Sequence, residues 1–426
     1  MRLKIAVGLV GAALLSVGAA QDFNWRQFEG TEIRFLMNQH PFTDFIEPLV
    51  PEFEELTGIS VTLESYPEDQ FRQRTLLEAG SGADTLDGYM IQPGQTGAQY
   101  LGAGWVRYID DFLGDPALTD PELAIDDFFE GATSTFLDEE QTYGLPLQIE
   151  SSLLFYRTDL FEAAGLNGPP ETLEQLRDYA EALNGDGVAG FAMRGGGANA
   201  TSQIVNFLYS YGGQWLNEDG TSALDSQASQ ATLTYYADLL RNYGPAGVTN
   251  MSWPEVTSLY AQGQAAMMFD ANVFRSIMED PEQALEEVRA NTAYAPVPEG
   301  PAGQVPAVLV WGLSVNHASQ NPEAAWYFIQ WALSKENQLK ALLGGVPAAR
   351  ASAWDNEEFR STAPQSWIEA SQRSYEIGQP DWNPPVVQVA EVRDAYGQAI
   401  VAALQGQDVA AALEQANGVI DGIISR

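Results

Sequence analysis

The chain of 426 residues contains no cysteine and only two histidines. Without cysteine it can form no disulfide, thiolate nucleophile, cysteine–zinc site or iron–sulfur cluster. Two histidines, His40 and His317, are too few for an HExxH zinc site or a histidine cluster. The GxSxG nucleophile elbow and the GxxxxGK(S/T) phosphate loop are also missing. These absences predict a protein that is not an enzyme and that holds neither a metal nor a cofactor.

Long apolar runs are missing too, since no segment offers the roughly 18 consecutive apolar residues of a membrane-spanning helix. The first twenty residues combine Arg2 and Lys4 with the short run IAVGLVGAALL and small residues before Gln21. This pattern predicts a secretory signal peptide over residues 1–20, cleaved near Ala20. Because no cysteine follows it, we expect no lipid anchor and a free chain in the periplasm or outside the cell.

Positive charge is scarce, with 20 basic residues against 58 acidic ones and a net charge of −38. Removing Arg2 and Lys4 with the signal peptide takes the net charge from −38 to −40. A field of this sign disfavours nucleic acid and anionic lipid surfaces as partners. The acidic residues are scattered along the chain, which is typical of a solvated outer face.

A strand–helix–strand unit begins the mature chain. TEIRFLMNQ alternates apolar residues as a strand does, a helical apolar pattern runs from Phe42 to Leu56, and ISVTLESY alternates again. Three such elements within about thirty residues predict a parallel sheet with a right-handed crossover. Ligands of such sheets bind beyond the carboxyl ends of the strands, where Asn38, Gln39 and His40 follow the first strand.

A second set of elements begins in the middle of the chain. It has a helix capped by Thr172 and Gln175, a strand GVAGFAMR that ends at Arg194, and an apolar strand that ends at Asp270. TAYAPVPEG and AVLVWGLSVN also have strand patterns, and the tail from residue 386 to 424 is helical by period. Because 426 residues exceed one core, we predict an α/β protein of two domains.

Tryptophan is abundant, and four of the ten tryptophans lie in predicted loops or strand ends beside polar groups: Trp215, Trp253, Trp311 and Trp382. Sugars present apolar C–H faces and hydroxyl edges, so their sites combine aromatic platforms with Asp, Glu, Asn, Gln and Arg. Acidic residues with aromatics also suit a cation such as a polyamine. A pair of carboxylates would also suit a secreted glycosidase.

A glycine-rich turn follows the strand that ends at Arg194. Residues 195–200 fit the letters of GxGxxA, but nothing else in the sequence supports a dinucleotide site. A turn at which a ligand approaches the backbone is the preferred interpretation.

Four segments in register resemble the extracellular solute-binding proteins of ABC importers, in the carbohydrate-binding family that includes maltose-binding protein. These segments are YGLPLQIESSLLFYRTDLFEAAGL, YSYGGQWLNEDG, LYAQGQAAMMFD and NPEAAWYFIQWALSKENQ. The similarity extends from about Glu32 to the C-terminus. FYRTDLFEAAGL, MRGGGAN, LYAQGQAAMMFDA and WYFIQWALSKE look most like the sorbitol/mannitol-binding branch.

The resemblance implies two α/β lobes of the periplasmic-binding-protein type, joined by a hinge and closing on a ligand between them. The first lobe would comprise residues 21–149 and 294–333, and the second residues 150–293 and 334–426. The expected partners are a sugar or polyol and the transmembrane permease of an ABC importer, and the chain is expected to be a monomer.

The resemblance also implies which residues bind the ligand, and Glu150 lies at the joint between the lobes. Its carboxylate would accept hydrogen bonds from ligand hydroxyls, or form an ion pair with Arg194, or do both. His40 is interpreted as a hydrogen-bonding residue rather than a metal ligand. The residues implied are Asn38, Gln39, His40, Asp87, Gln92, Glu150, Ser151, Arg194, Asn199, Trp215, Asp270, Asn272, Trp311, Gly312 and Trp382.

One departure from the family pattern concerns the stacking platform. After MMFD the maltose-binding pattern has an aromatic residue, whereas here Ala271, Asn272 and Val273 come before Phe274. A small linear polyol or a monosaccharide is therefore as compatible with the sequence as an oligosaccharide.

Overall fold

In the computed structural model, residues 23–380 and 382–426 are described, and the predicted signal peptide lies outside these ranges. The strands are β1 (Glu32–Asn38), β2 (Ser60–Tyr66), β3 (Gly88–Ile91), β4 (Leu137–Asp138), β5 (Gln141–Thr142), β6 (Leu145–Arg157), β7 (Met267–Ala271), β8 (Thr292–Ala295) and β9 (Val308–Val315). Their order in the main sheet is β2-β1-β3-β9-β6-β7, and β8 also pairs with β6. β1 is parallel to β2 and β3, which confirms the predicted strand–helix–strand unit.

β6 joins two sheets. Its first half, from Leu145 to Ser151, pairs with β9, and its second half, from Ser152 to Arg157, pairs with β7 and β8. All 13 residues of the strand are buried. We call the part built on β1–β3, β9 and the first half of β6 the first lobe, and the part built on the second half of β6 with β7 and β8 the second lobe. Glu150 therefore lies beside the change of lobe, as predicted.

The helices pack around these sheets. Before β6 they are α1 (Pro41–Ile46), α2 (Val50–Thr57), α3 (Glu68–Gly80), α4 (Ala98–Gly102), α5 (Asp110–Leu113) and α6 (Glu130–Thr133). Between β6 and β9 they are α7 (Thr158–Ala163), α8 (Leu173–Leu183), α9 (Thr201–Ser210), α10 (Gln227–Tyr243), α11 (Trp253–Ala261), α12 (Arg275–Glu279) and α13 (Glu286–Asn291). After β9 they are α14 (Pro322–Ala332), α15 (Lys335–Leu343), α16 (Ala351–Trp354), α17 (Glu357–Thr362), α18 (Gln365–Ile377), α19 (Val389–Leu404) and α20 (Val409–Ile424).

Local signals in the sequence explain several of these boundaries. Gly58 ends α2 in the left-handed conformation with φ of 72°, which costs glycine little. Thr172 caps α8 by accepting from the backbone N–H of Gln175, as predicted. The segment GVAGFAMR makes only single bridges to the chain beside β7, from Ala189 and Ala192, so it is extended rather than a full strand. Across the described ranges, none of the helices is both long and apolar enough to cross a bilayer.

The lobe boundaries differ from those expected from the sequence. β8 pairs with the second half of β6, and Glu299 pairs with Thr172, so the second lobe continues past residue 294 up to β9. The chain also stays with the first lobe beyond residue 333. Lys340 of α15 forms an ion pair with Glu52 of α2 at 3.6 Å. The buried Arg350 donates to the carbonyl of Leu123 at 2.7 Å.

A third segment crosses between the lobes after α18. Gln379 pairs with the chain just before β9, where its N–H donates to the Pro306 carbonyl and its carbonyl accepts from the Val308 N–H, both at 2.8 Å. α18 itself lies along β6, because the Tyr375 hydroxyl donates to the Ile149 carbonyl at 2.7 Å. β6, β9 and this third segment therefore all connect the two lobes.

Gly312 of β9 provides a test of the packing between β9 and β6. A Cβ at this position would lie 2.1 Å from the Phe136 ring and 2.4 Å from the Leu145 carbonyl oxygen. We expect Gly312→Ala to lower the free energy of unfolding by about 1–3 kcal/mol in denaturant titrations, because the core is overpacked. The control is Gly418→Ala in α20, where the new Cβ meets nothing within 4 Å. It should raise stability by about 0.5–1 kcal/mol. Equal stability of the two variants would contradict this packing.

Candidate functional site

Glu150 lies in the middle of β6, next to His40, which follows β1. It is 4% exposed, and its Oε1 atom is 3.2 Å from His40 Nε2. The Gln148 amide donates to the same oxygen. His40 stands between β1 and α1, so the strand-end position predicted for it brings it to the carboxylate. A buried carboxylate needs such partners, since an unpaired one would be costly. The direct contact of Glu150 is thus His40 rather than Arg194.

Aromatic rings surround His40. The Trp311 ring of β9 lies 5.7 Å from the imidazole, and the Trp253 ring of α11 lies 6.4 Å from it. Trp253 is stacked on Phe274, with ring centroids 5.1 Å apart and planes 15° apart. Phe274 therefore belongs to the aromatic wall of the site, although three residues separate it from Asp270. Such rings can cover the C–H faces of a bound sugar or polyol.

Asp270, near the end of β7, forms a bidentate ion pair with Arg194. Arg194 donates from Nε to Oδ2 at 2.9 Å and from Nη2 to Oδ1 at 2.5 Å. Gln203 donates to Asp270 Oδ1 at 3.0 Å, and Arg194 Nη1 donates to Ser202 Oγ at 3.2 Å. Asp270 is fully buried. The pair fixes the guanidinium plane of Arg194, and a rigid guanidinium is a selective donor.

Glu68 and Arg393 extend this cluster and were missed in the sequence analysis. Glu68 begins α3, directly after β2, and forms an ion pair with Arg72. Burial acts to raise the pKa of Glu68, but the positive charges of Arg72, Arg194 and Arg393 outweigh it and lower that pKa. Glu68 of the first lobe thus lies in the field of two arginines of the second lobe.

Arg393, in α19, is held by neutral groups of the second lobe. It donates to Thr201 Oγ1 at 2.8 Å and to the Ala198 carbonyl at 2.9 Å, and it lies 5.3 Å from the centre of the Trp382 ring. Burial and the repulsion of Arg72 lower the pKa of Arg393. The glycine-rich turn therefore supports this arginine through its carbonyls and holds no visible phosphate cradle.

Charge is balanced in the cluster. In the described part of the chain, three carboxylates meet three guanidinium groups across the cleft: Glu68, Glu150 and Asp270 with Arg72, Arg194 and Arg393. These six groups carry three negative and three positive charges, whereas the whole chain has a net charge of −38. A neutral polar molecule therefore suits this site better than an ion.

Several buried side-chain amides beside the cluster find no hydrogen-bond partner among the described residues. Neither polar atom of Asn38 or Asn383 has one, and the side-chain oxygens of Gln92, Gln95 and Gln148 also lack one. An unpaired buried polar group costs about 1–3 kcal/mol, so native proteins rarely keep one without a reason. Amides both donate and accept, which matches the hydroxyl groups of a polyol.

A cavity of about 620 Å³ lies along the crossing strands. Ile149 of β6 and Val308, Leu309 and Val310 of β9 line it, whereas Glu150 is not among its lining residues. Its wall also includes Phe129, Tyr375 and Trp382. These mostly apolar surroundings do not offer the paired donors and acceptors of the charged cluster.

The structure places four of the predicted site residues away from the charged cluster. Asp87 stands at the amino end of β3, where it accepts from Ser319 Oγ at 2.6 Å, and burial raises its pKa. Gln39 is exposed, although its backbone N–H donates to the Tyr66 carbonyl. Trp215 packs against Tyr396 in the second lobe, with ring centroids 5.5 Å apart. Gly312 faces Phe136 in the core of the first lobe.

Three other predicted residues hold the site together. Asn272 accepts from the Ser151 N–H at 3.2 Å and donates to Ser371 and Tyr375, so its amide is fully used within the protein. Asn199 is half-buried, and its carbonyl accepts from Ser202 Oγ at 2.9 Å. Through Ser202 it is linked to Arg194. These residues position β6 and Arg194.

The ion pair of Asp270 and Arg194 generates a stability prediction. We expect Asp270→Ala to lower the free energy of unfolding by about 3–5 kcal/mol, because a buried guanidinium loses its carboxylate. Chemical denaturation of the purified chain measures this. The matched control is Asp84→Ala at an exposed position, with an expected change within about 0.5 kcal/mol. A loss for Asp270→Ala as small as the control would show that the pair is not formed.

Comparison with known proteins gives relatives along most of the chain. An erythritol/L-threitol-binding protein of Mycolicibacterium smegmatis is 28% identical over 403 residues, which cover 84% of this chain and 83% of the relative. A mannitol-binding protein of Pseudomonas aeruginosa is 28% identical over 308 residues, 70% of this chain and 68% of the relative.

A solved structure and a family model agree with these relatives. An ABC transporter solute-binding protein of Agrobacterium radiobacter, in complex with ribitol, superposes with a TM-score of 0.85 at 25% identity and covers 93% of this chain and 99% of that one. The two-lobed α/β fold expected from the sequence is thereby confirmed. The model of the bacterial extracellular solute-binding proteins matches residues 39–339. The four sequence segments therefore indicated the right relatives, and the chain belongs to the bacterial extracellular solute-binding protein family.

Proposed function

We propose that this protein is the substrate-binding component of an ABC importer, and that it captures a linear sugar alcohol between its lobes and passes it to a membrane permease. The relatives described above are named for erythritol, L-threitol and mannitol, and the superposed structure contains ribitol. All of these are linear alditols. A sugar is the broader class to which the same site chemistry applies, and the periplasm or the cell exterior is the location that the family favours.

The set of buried amides without partners beside a charge-balanced cluster is the observation that carries this proposal. Asn38 and Gln92 of the first lobe present such amides at the ends of β1 and β3. A linear polyol carries a hydroxyl on every carbon, and each hydroxyl donates one hydrogen bond and accepts others. Glu150 and Arg194 add charge-assisted hydrogen bonds, which contribute about 1.5–3 kcal/mol each.

The charges argue against a polyamine, which was one alternative. Asp270 meets Arg194 and Glu68 meets Arg72 as ion pairs, and Glu150 accepts from Gln148 and contacts His40, so each carboxylate already has partners. A dication would have to displace a guanidinium to gain a comparable contact. Release of the cargo unaltered is favoured over glycoside hydrolysis, because Asp270 is committed to a buried ion pair and the named relatives are binding proteins.

We infer that binding is coupled to lobe closure. The first lobe contributes Glu68 and the turn after β3, and the second lobe contributes Arg194, Arg393 and Trp382. A ligand that bonds to both sets binds the closed form more tightly, and this difference in affinity favours closure. Glu150 belongs to the shared strand, so it can contact the ligand in both forms.

Isothermal titration calorimetry against a ligand panel tests the proposed cargo. The panel contains erythritol, ribitol, D-mannitol, maltose and putrescine. We expect saturable binding of at least one alditol and none of putrescine, and mass spectrometry should recover the bound alditol unchanged. Binding of putrescine alone, or conversion of maltose to glucose, would overturn the proposal.

Glu150→Gln tests the role of the shared strand. The substitution keeps the shape of the side chain but removes the charge from its hydrogen bonds. We therefore expect alditol affinity to fall at least about tenfold, the equivalent of about 1.4 kcal/mol. The control is Glu130→Gln, an exposed position of α6, which should bind as the wild type does. Unchanged affinity in Glu150→Gln would remove this carboxylate from the site.

A further inference from the structure

A smaller cavity between the lobes is distinct from the charged cluster. It has a volume of about 350 Å³ and is bounded on one side by the turn Pro93–Gly97 and on the other by residues 383–389. Most of its wall consists of proline and valine side chains, among them Pro384, Pro385 and Val389. Such a wall is suited to the C–H surface of a small molecule.

Two amides from opposite lobes interrupt this apolar wall. Gln95 is 7% exposed and Asn383 is 3% exposed, and both line the cavity. Within residues 23–380 and 382–426, Gln95 Oε1 and both polar atoms of Asn383 have no hydrogen-bond partner. The two side chains share the cavity without satisfying each other, which indicates that a third group completes them.

The cavity lies next to the charged cluster along α19. Val389 lines the cavity and Arg393 follows it one helical turn later, so the two side chains lie on one face of the helix. α19 also packs against the turn Pro93–Gly97 of the first lobe. Gly94 of that turn lies against the Trp382 indole, beside the arginine. A linear molecule bound at the cluster can therefore extend along α19 into the cavity.

We propose that this cavity is a second hydroxyl-binding compartment, in which Gln95 and Asn383 bind the distal hydroxyl groups of a longer alditol. The inference rests on the proposed function. The proline and valine wall covers the C–H groups of the chain, while the two amides donate to and accept from its hydroxyls. A short alditol is held by the charged cluster alone, whereas a long one reaches the amides. Gln95 and Asn383 thus determine which length of alditol is preferred. Because they belong to different lobes, a ligand bound to both connects the lobes.

Substitution of each amide by an apolar residue of similar size tests the compartment. In calorimetric titrations, Asn383→Leu and Gln95→Met should lower the affinity for D-mannitol at least about tenfold and the affinity for erythritol less than about threefold. Without ligand, the thermal unfolding midpoint should stay or rise, because an unpaired buried amide is removed. Because the two residues belong to different lobes, each variant is an independent test.

Asn417→Leu is the matched control. Asn417, in α20, has a side-chain oxygen that likewise lacks a partner among the described residues, but α20 packs on α10 and α19 rather than at the cavity. This variant should bind both alditols as the wild type does.

Equal losses for both alditols, no loss for either, or a wild type that binds erythritol but not D-mannitol would each overturn the compartment while leaving alditol capture in place. A wild type that binds none of erythritol, ribitol and D-mannitol would instead overturn the proposed function.

Discussion

The backbone of β6 is shared between two sheets, and the rest of the site depends on this sharing. Its first half is the edge strand of the first lobe and pairs with β9. Its second half lies between β7 and β8 in the second lobe and pairs with both. A slip of one residue would turn every side chain to the opposite face, so pairing on both sides fixes which residues face His40. Gln148 and Glu150 point to one face, and Ile149 points to the other. The fixed register places the polar side chains on one face of β6 and the apolar side chain of Ile149 on the other. A polar site can therefore exist on a strand that is buried over its whole length.

The second constraint is that each buried charge must be compensated. The chain is strongly acidic overall, yet two of the five buried arginines among its described residues lie at the cleft: Arg194 bonds to Asp270, and Arg393 bonds to the Thr201 hydroxyl and the Ala198 carbonyl. Glu68 brings a negative charge from the first lobe to both arginines. Glu68 therefore attracts both arginines across the cleft, although Arg72 beside it repels Arg393. The attraction is strongest when the lobes are close.

Local patterns in the sequence were sufficient for the sheet and for the part of the site that follows strand ends. Asn38, His40 and Gln92 were predicted because polar residues after parallel strands converge at one edge, and the structure places them at the ends of β1 and β3. Asp87 was misplaced because it precedes its strand, and the amino end of β3 lies at the opposite edge. Glu68 follows the carboxyl end of β2, so it lies at the same edge of the sheet as the residues after β1 and β3. Arg393 and Asn383 carry no local signal, since only the late return of α19 to the cleft gives them their positions. Contacts between residues far apart in the sequence leave no local pattern, so neither these two positions nor the return of α15 to the first lobe was predicted.

The position of Trp382 has a practical consequence. Its indole comes from the second lobe and stands close to Gly94 in the first, since a Cβ added at Gly94 would lie 3.5 Å from the indole Nε1. A separation of the lobes would bring solvent to a ring that is only 4% exposed when they are together. The natural chain thus carries its own optical reporter, whose emission wavelength distinguishes the two arrangements without any attached dye. A sensor for small hydroxylated molecules could be built on this indole by removing the background from tryptophans such as Trp354 and Trp367, which stack on each other in the interior.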